Sequence, residues 1–500
     1  MSTSGVTFYR RAEEALADPA LRGTLQRITG RILESRSSAL ARLDEADAWR
    51  DRARAIRAET IAHLDQYVDA FVTHVEARGG HVHFAATADD AVRYVRDLAA
   101  ARGVKRIVKG KSMISEEIDL NQHLEEAGLS VVESDLGEWI VQLGHDHPSH
   151  IVMPIIHMSK EQVGDLFRKT LNATDAEVAD VSAMTQFARR KLRREFIAAD
   201  MGISGVNFGV ADTGSICICT NEGNGRLTTT MPRIHVAMMG IERIVPTVPD
   251  LGVMLQVLAR SATGQNLTVY TNVITGPRRR AASSHRVNDP VEGSLTHDSS
   301  EEPDGPDELH VVLVDNGRSR VLGSELAEIL FCIRCGACLN ACPVYQQVGG
   351  HAYGSVYPGP VGSVLTPGLK GLAEFHELPH ASTLCGACRD VCPVRIDIPR
   401  MLLKLRADGT EAGYSPWWVT FGLKVFRSVG TRPALFRFAG RLMARATQLA
   451  GRDGWITRLP FHMGGWTQSR DFPVVPTESF QERWAKQHRG TSGPTSGGPS

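Results

Sequence analysis

Seven of the nine cysteines lie in one stretch of the chain, and their spacing is regular. The first run has the pattern C-x2-C-x2-C-x3-C-P and consists of Cys332, Cys335, Cys338, Cys342 and Pro343. The second run has the pattern C-x2-C-x3-C-P and consists of Cys385, Cys388, Cys392 and Pro393. Three thiolates on one tight loop reach three corners of a cubane cluster, while the cysteine before the proline leaves on the following turn. The spacing therefore predicts iron-sulfur chemistry.

The two runs belong together, because in two-cluster proteins the last cysteine of each run binds the other cluster. The ligands predicted for cluster 1 are Cys332, Cys335, Cys338 and Cys392. The ligands predicted for cluster 2 are Cys342, Cys385 and Cys388. A pair of structural zinc sites is the alternative, but such sites are usually closed by four ligands, and seven cysteines divide unevenly.

Cluster 2 has one thiolate fewer than cluster 1. Ser382 stands where a full copy of the first run would place a cysteine. The remaining corner could be filled by the Ser382 oxygen, by water, or by a group from a partner or substrate. A three-iron cluster would leave the corner empty. The sequence leaves all of these alternatives open.

The composition excludes some classes of function. Lys plus Arg and Asp plus Glu both number 56, so no global basic field favours nucleic acid binding. A hydrophobic content of 42% over 500 residues predicts two or three domains with their own cores. The N-terminus lacks the apolar segment of a secretory signal, and no apolar run is long enough to span a bilayer. Because the cysteines are clustered, we expect a cytoplasmic protein without disulfides.

Two regions precede the cysteines. Residues 1–80 are predicted as a helical lead-in whose charges form a solvated face, because apolar residues recur every three or four positions. Residues 81–320 are predicted as an α/β domain with a parallel sheet, because short β runs alternate with helices. The predicted strands are 82–84, 104–108, 130–133, 150–154, 206–210, 215–220, 226–230, 236–239, 268–271 and 309–314. The predicted helices are 88–101, 116–127, 161–171 and 176–199, and 276–306 is predicted as a long polar loop.

Other residues of the α/β region could carry chemistry. The segment 109–112 reads Lys-Gly-Lys-Ser, but position 105 lacks the first glycine of a nucleotide-binding loop, so only anion binding by the basic pair is retained. Residues 212–214 and 221–225 are predicted as tight turns around a strand on which Cys217 and Cys219 share one face. These two cysteines are predicted as small buried hydrophobic residues, and a metal role is the alternative. A metal or substrate role is the alternative to ordinary loop histidines at positions His145, His147, His150 and His157.

The sequence changes character after residue 320. Residues 325–405 are predicted as a two-cluster ferredoxin-like domain, with a glycine-rich insert at 349–371 that wraps the clusters or presents a docking surface. Residues 406–490 are predicted as a basic amphipathic region, since no Asp or Glu lies between Glu411 and Asp453. It either packs on the ferredoxin-like domain or lies on an acidic partner or an anionic membrane. The tail 491–500 is predicted to be disordered.

Four segments carry a resemblance to a known family. They are FGVADTGSICICTNEGNGRL at 208–227, IRCGACLNACPVYQQVGGHAYGSVYPGPVG at 333–362, LCGACRDVCPV at 384–394 and GWTQSRDFP at 465–473. On these segments the chain resembles the lactate-utilisation protein B family, the iron-sulfur subunit of a three-protein bacterial L-lactate oxidation system. The absence of a cysteine at position 382 belongs to the pattern of that family.

The resemblance implies a fold, cofactors and partners. The fold is an α/β lactate-utilisation-type domain, similar to sugar-isomerase and CoA-transferase-like folds, followed by an α-helical two-cluster bacterial ferredoxin-like domain and a helical C-terminal segment. The cofactors are two [4Fe-4S] clusters, held by the seven cysteines assigned above. The partners are a protein with CCG repeats and a protein that carries the α/β domain alone.

We therefore expect the electron-transfer subunit of a complex that oxidises L-lactate to pyruvate and allows growth on lactate. Its role would be non-catalytic or co-catalytic, because no catalytic residue is identified and no G-x-G-x-x-G follows a strand. The alternatives are electron transfer from another 2-hydroxy acid such as glycolate, and a scaffold that senses iron or redox state. The expected location is the cytoplasm, or the membrane surface if the acceptor is quinone-linked.

Overall fold

The computed structural model describes residues 7–278, 305–468 and 470–488. The chain forms two compact units, Met1–Ala412 and Gly413–Ser500. The strands are β1 (His81–Ala85), β2 (Arg106–Lys109), β3 (Ser130–Glu133), β4 (Met201–Gly205), β5 (Phe208–Val210), β6 (Ser215–Thr220), β7 (Ile234–Gly240), β8 (Ile244–Val245), β9 (Tyr270–Ile274), β10 (Glu308–Val314), β11 (Trp455–Ile456) and β12 (Phe472–Pro473).

Helices make up most of the remaining described structure. The α-helices are α1 (Phe8–Leu16), α2 (Pro19–Ala41), α3 (Ala46–Ala62), α4 (Leu64–Ala77), α5 (Ala88–Ala101), α6 (Met113–Glu117), α7 (Leu120–Glu126), α8 (Leu136–Leu143), α9 (Lys160–Leu171), α10 (Val181–Ala198), α11 (Asn224–Thr230), α12 (Val248–Ala262), α13 (Arg318–Leu322), α14 (Ala337–Ala341), α15 (Tyr345–Val348), α16 (Gly359–Lys370), α17 (Leu372–Phe375), α18 (Ala387–Asp390), α19 (Ile398–Glu411), α20 (Trp417–Gly430), α21 (Pro433–Ala450) and α22 (Phe480–His488). Short 3-10 helices occupy Ile241–Arg243, Ala327–Phe331, His351–Tyr353, Leu378–His380 and Phe461–Gln468.

A six-stranded parallel sheet organises the first unit, and its strand order is β1-β10-β7-β4-β2-β3. The strands β7 and β10 are buried almost throughout, as expected when helices cover both faces of a parallel sheet. The predicted α/β class with a parallel sheet is thus confirmed. A smaller sheet with the order β8-β5-β6-β9 lies beside it and carries Cys217 and Cys219 on β6.

Most elements of the α/β region lie close to their predicted positions. The strand β3 and the helix α5 have the predicted bounds. The helix predicted at 116–127 is interrupted, because Asp119 adopts a left-handed conformation with φ 50° between α6 and α7. The core of the predicted polar loop, residues 279–304, lies outside the described residues, as does the predicted tail.

Two predicted strands are wrong. Residues 226–230 belong to the helix α11, which packs against β4 at Gly202, where an added Cβ would lie 1.9 Å from the carbonyl oxygen of Thr228. Close packing on a glycine therefore overrides the β preference of three threonines. Residues 150–154 form turns, because the Nδ1 atom of His150 accepts hydrogen bonds from the backbone N–H groups of Val152 and Met153. These N–H groups are satisfied locally rather than by a neighbouring strand.

One hydrophobic core joins three regions of the first unit. It contains Leu25 from α2, Phe208 from β5 and Leu339 from α14, so the N-terminal helices, the smaller sheet and the cysteine-rich module share it. A second cluster fills one face of the parallel sheet beneath α5 and α7, and a third surrounds α8, α9 and α10. The cysteine-rich module is thus built into the first unit rather than attached to it.

The second unit contains α20, α21, α22 and the antiparallel pair β11 and β12. Among its described side chains, only Ala444 and Ile456 are buried. Large apolar side chains stay exposed, among them Phe421 at 63% and Phe438 at 68%. No helix in the described part of the chain combines the length and the apolar character that crossing a bilayer requires.

Candidate iron-sulfur centre

The two cysteine runs follow the same backbone path. Arg334 and Leu384, which stand one residue before the second cysteine position of each run, adopt left-handed conformations with φ of 60° and 57°. Gly336 and Gly386 follow with φ of 75° and 87°, a region that favours glycine. A short helix comes next in both runs, α14 in the first and α18 in the second. The second run is therefore a backbone copy of the first, although its sequence has one cysteine fewer.

The thiols of the first set line a single cavity together with Pro393, and they are Cys332, Cys335, Cys338 and Cys392. Burial, followed by the neighbouring thiol of Cys392, raises the pKa of Cys335 to about 12. Burial also raises the pKa of Cys392 to about 11. Buried thiols of this kind ionise when a metal ion compensates the negative charge. The donor set and its apolar surroundings thus fit a thiolate-bound metal centre.

The thiols of the second set also influence one another. Burial, followed by the neighbouring thiols of Cys342 and Cys385, raises the pKa of Cys388 to about 12. Cys385 differs, because it is exposed and the N–H of Ala387 lowers its pKa. The second set is therefore more open than the first, since Cys385 is exposed to solvent.

Backbone N–H groups approach the sulfur atoms at equivalent places in the two runs. The N–H of Ala337 faces Cys335 in the same way as the N–H of Ala387 faces Cys385. Each of these contacts lowers the pKa of the thiol that it reaches. Hydrogen bonds to sulfur stabilise the thiolate and tune the potential of a cluster that it binds.

Ser382 occupies the place of the first cysteine in the second run. Its Oγ accepts a hydrogen bond from the N–H of Leu384 at 3.1 Å. The Sγ of Cys332 accepts the equivalent hydrogen bond from the N–H of Arg334 at 3.4 Å. Arg406 also holds this segment by donating to the carbonyl oxygen of Ser382 at 2.8 Å. The hydroxyl oxygen is thus placed by the same backbone contact that places a predicted ligand of cluster 1.

Arginines from outside the module hold its backbone. Arg243 donates to the carbonyl oxygen of Cys332 at 2.7 Å, and Arg50 donates to that of Cys392 at 2.9 Å. Arg57 is fully buried and donates to a carbonyl of β8 and to one in the 3-10 helix before the first run, at 2.6 and 2.9 Å. The lead-in charges were expected to form a solvated face, and for Arg57 this expectation is wrong. Its role has no sequence signal, since nothing marks it among the many arginines of the lead-in.

A buried ionic network joins the module to the parallel sheet. Arg318 donates to Glu117 and to Glu242, both at 2.7 Å, and the hydroxyl of Tyr357 donates to Glu117 at 2.6 Å. Burial would raise the pKa of Glu242, but the guanidinium of Arg318, followed by those of Arg334 and Arg243, holds it at about 2. Tyr357 comes from the glycine-rich insert, so the network fixes that insert against the α/β domain.

Lys109, the first residue of the basic pair at 109–112, is not free to bind an anion. Lys109 is fully buried, and its Nζ lies 2.7 Å from Glu133 and 2.9 Å from Glu116. The carboxylates therefore neutralise Lys109, and its charge serves the core. Lys111 is only partly buried and donates to the carbonyl oxygen of Val152 at 2.8 Å.

The remaining candidates lie apart from the thiols of the two runs or serve structural roles. Cys217 and Cys219 have their sulfur atoms 4.0 Å apart on β6 and contribute to neither thiol set. His150 is buried and contacts the Oδ1 of Asn340 in α14 at 3.1 Å. The Nε2 of His157 lies 3.0 Å from a carboxylate oxygen of Asp146. The ring centroids of His157 and His351 are 4.5 Å apart. The sequence prediction did not bring His351 into this group.

Fold and site together define the class of this protein, an α/β protein with an integrated iron-sulfur module. Residues 68–314 match the LUD domain, residues 328–396 match the 4Fe-4S dicluster domain, and residues 409–489 match the lactate utilisation protein B C-terminal domain. Lactate utilization protein B of Bacillus pumilus is 43% identical and covers 98% of this chain and 99% of its own. The same-named protein of Shouchella clausii is 42% identical over 97% of both chains.

A third relative is the uncharacterized electron transport protein YkgF of Escherichia coli, which is 40% identical over 98% of both chains. These similarities extend along nearly the whole chain, beyond the cysteine runs alone. The chain belongs to the lactate utilisation protein B family. The predicted resemblance is thereby confirmed, and the domain order is an LUD domain, a 4Fe-4S dicluster domain and the family's C-terminal domain.

Proposed function

We propose that this chain is the iron-sulfur electron-transfer subunit of a complex that oxidises L-lactate to pyruvate and so supports growth on lactate. The observation that carries the proposal is the pair of thiol sets, built by two copies of one backbone path within a single core. The names of the relatives, lactate utilization and electron transport, support the substrate and the role.

We assign one [4Fe-4S] cluster to Cys332, Cys335, Cys338 and Cys392. We assign a second to Cys342, Cys385 and Cys388, with the hydroxyl oxygen of Ser382 as the fourth ligand. The support for Ser382 is the backbone N–H contact that it shares with Cys332. When bound, each cluster accepts or donates one electron with little structural change.

The protein supplies the surroundings that such centres require. The thiols of the first set provide the negative charge, and Arg57 and Arg243 lie fully or almost fully buried close to them. Apolar side chains, among them Ile333, Val361 and Val394, line the pocket of the first thiol set. The exposed thiol of Cys385 makes the second set the side at which an electron enters or leaves, because transfer between proteins requires close approach.

The fold and the partners are part of the proposal. The all-parallel sheet supports a kinship of the α/β domain with sugar-isomerase and CoA-transferase-like folds. The partners are the CCG-repeat protein and the protein with the α/β domain alone. The exposed apolar side chains of α20 and α21, lying among basic residues, support a docking role for the second unit on an acidic partner or at an anionic membrane surface with a quinone-linked acceptor. The location that we propose is the cytoplasm.

The test begins with iron and sulfide analysis and electron paramagnetic resonance of the anaerobically purified chain, before and after dithionite. We expect about eight irons per chain and two interacting reduced signals. The chain is then combined with its two partners, and L-lactate is expected to reduce the clusters. Zinc without sulfide would refute the redox role. If glycolate reduces the clusters and L-lactate does not, glycolate replaces L-lactate as the proposed substrate.

A further inference from the structure

A cavity of about 270 Å³ lies at the carboxyl ends of the central strands of the parallel sheet. The chain leaves β2 for the outer strand β3 but leaves β4 in the opposite direction for β7, so adjacent strands β2 and β4 form a topological switch point. The segment after β2 (110–114) and the segment that spans the end of β4 and the turn after it (204–207) line the cavity. Open α/β sheets bind their ligands in this crevice.

The cavity wall carries cationic groups. Lys111, Arg243 and Arg334 all line it. The guanidinium of Arg334 lies 4.5 Å above the ring of Tyr357, and its Nη1 is buried without a hydrogen-bond partner among the described residues. A buried N–H without an acceptor destabilises the folded protein, and a bound anion would supply that acceptor.

Three acidic residues, Asp135, Glu222 and Glu242, line the same wall. Glu242 accepts a hydrogen bond from Arg318 at 2.7 Å and one from the Nη2 of Arg334 at 3.4 Å, so two guanidinium groups share this carboxylate and the Nη1 of Arg334 has no partner among the described residues. Burial, followed by the charge of Asp135, raises the pKa of Glu222 to about 7, so this carboxyl is partly protonated at neutral pH. The carboxylate of Asp135 and the ammonium of Lys111 are the charged groups that influence Glu222. The polar side chains of Ser112 and Asn207 add hydrogen-bonding groups to the wall.

The cavity borders the first thiol set. Arg334 lines both the cavity and the pocket of the cluster 1 thiols, and its backbone N–H contacts the Sγ of Cys332. Arg243 lines the cavity and donates to the carbonyl oxygen of Cys332. Arg334 therefore stands between the cavity and the first thiol set.

We propose that this cavity binds a small monocarboxylate of the 2-hydroxy acid class, with Arg334 and Lys111 receiving the carboxylate next to the first thiol set. The choice of a 2-hydroxy acid rests on the proposed function, whereas the carboxylate site rests on the cavity and its cations. Its volume suits a molecule of a few carbon atoms and lies just below the range of drug-sized pockets.

The experiment is calorimetry of the anaerobic, cluster-loaded full chain with L-lactate and with propionate, which lacks the hydroxyl group. We expect L-lactate to bind in the millimolar range or tighter. Lys111→Met and Arg334→Gln should each weaken binding by about tenfold or more, because each removes a charge-assisted hydrogen bond. Lys111→Arg should retain binding, and so should Lys169→Met, which changes an exposed lysine of α9. Iron content and resonance spectra verify that the variants remain folded and loaded.

The outcomes separate this inference from the proposed function. If L-lactate does not bind at millimolar concentration while the reconstituted complex still reduces its clusters with L-lactate, the cavity inference is overturned and the function stands. Binding that neither Lys111→Met nor Arg334→Gln weakens would also overturn it. Equal binding of propionate would overturn the 2-hydroxy acid class. Binding in the chain without reduction in the complex would support the site and refute the proposed function.

Discussion

Replacing Ser382 by alanine tests the proposed ligand of cluster 2. Seven thiols and one hydroxyl provide eight ligands, four for each of two clusters, which correspond to about eight irons per chain. Ser382→Ala removes one of them, so we expect a loss of about one iron per chain and a three-iron signal in the oxidised sample. Ser382→Cys completes the second run and should keep about eight irons, with slower loss of cluster 2 in air.

The assay is iron and sulfide analysis with resonance spectra of the oxidised and reduced samples, followed by the rate of bleaching in air. Ser324→Ala is the matched control, because the Oγ of Ser324 accepts a hydrogen bond from the N–H of Leu326 at 3.1 Å in the same two-residue arrangement, eight residues before the first cysteine of the module. The lost hydrogen bond costs about 1 kcal/mol in either variant. If Ser382→Ala retains about eight irons and an unchanged cluster 2 spectrum, the hydroxyl is not a ligand.

Three further predictions concern stability of the anaerobic, cluster-loaded chain, measured as the urea midpoint. Arg318→Met strands buried carboxylates and should cost about 3–5 kcal/mol, whereas the exposed Arg193→Met should be near neutral. Burial raises the pKa of Glu138 to about 8, so between about pH 4.5 and 8 the folded state keeps a proton that the unfolded state releases. The free energy of unfolding should therefore fall as pH rises through this range. Glu138→Gln should flatten the fall, and an unchanged slope in this variant would contradict the assignment. Gly350→Ala would place a Cβ 1.8 Å from the carbonyl oxygen of Ser149 and should cost about 1–3 kcal/mol, whereas Gly252→Ala meets no atom within 4 Å in α12 and should stabilise by about 0.5–1 kcal/mol.

The sequence predicts what local spacing determines. The cysteine runs identify the iron-sulfur module because their spacing is a covalent property of one short segment. The alternation of strands and helices predicts a parallel sheet, since burial on both faces leaves near-continuous apolar runs such as β7 and β10. The strand β3 and the helix α5 also appear at their predicted positions, because their apolar periodicity is a local property of the sequence.

Long-range packing determines what the sequence does not reveal. The threonines of 228–230 favour a strand locally, but the glycine surface of β4 accepts a helix there. The role of Arg57 depends on carbonyl groups that are 187 and 273 residues away, and no local pattern encodes such distances. In the sequence, position 382 shows only that a cysteine is missing from the second run. The structure shows that Ser382 and Cys332 accept equivalent hydrogen bonds from the backbone N–H two residues later. The cavity depends on strand order, which local periodicity does not report.

The core shared by α2 and the cysteine-rich module has a consequence for biosynthesis. The guanidinium of Arg36 donates to the carbonyl oxygen of Val391, which is 355 residues later in the chain. At about 5–20 residues per second, a ribosome needs roughly 20–70 s to deliver that partner. During this interval the face of α2 that packs against α14 and α15 has no final partner, although its contact with α12 forms earlier. Iron-sulfur assembly must therefore come late in synthesis, because its last predicted ligand, Cys392, follows the N-terminal helices by more than 300 residues.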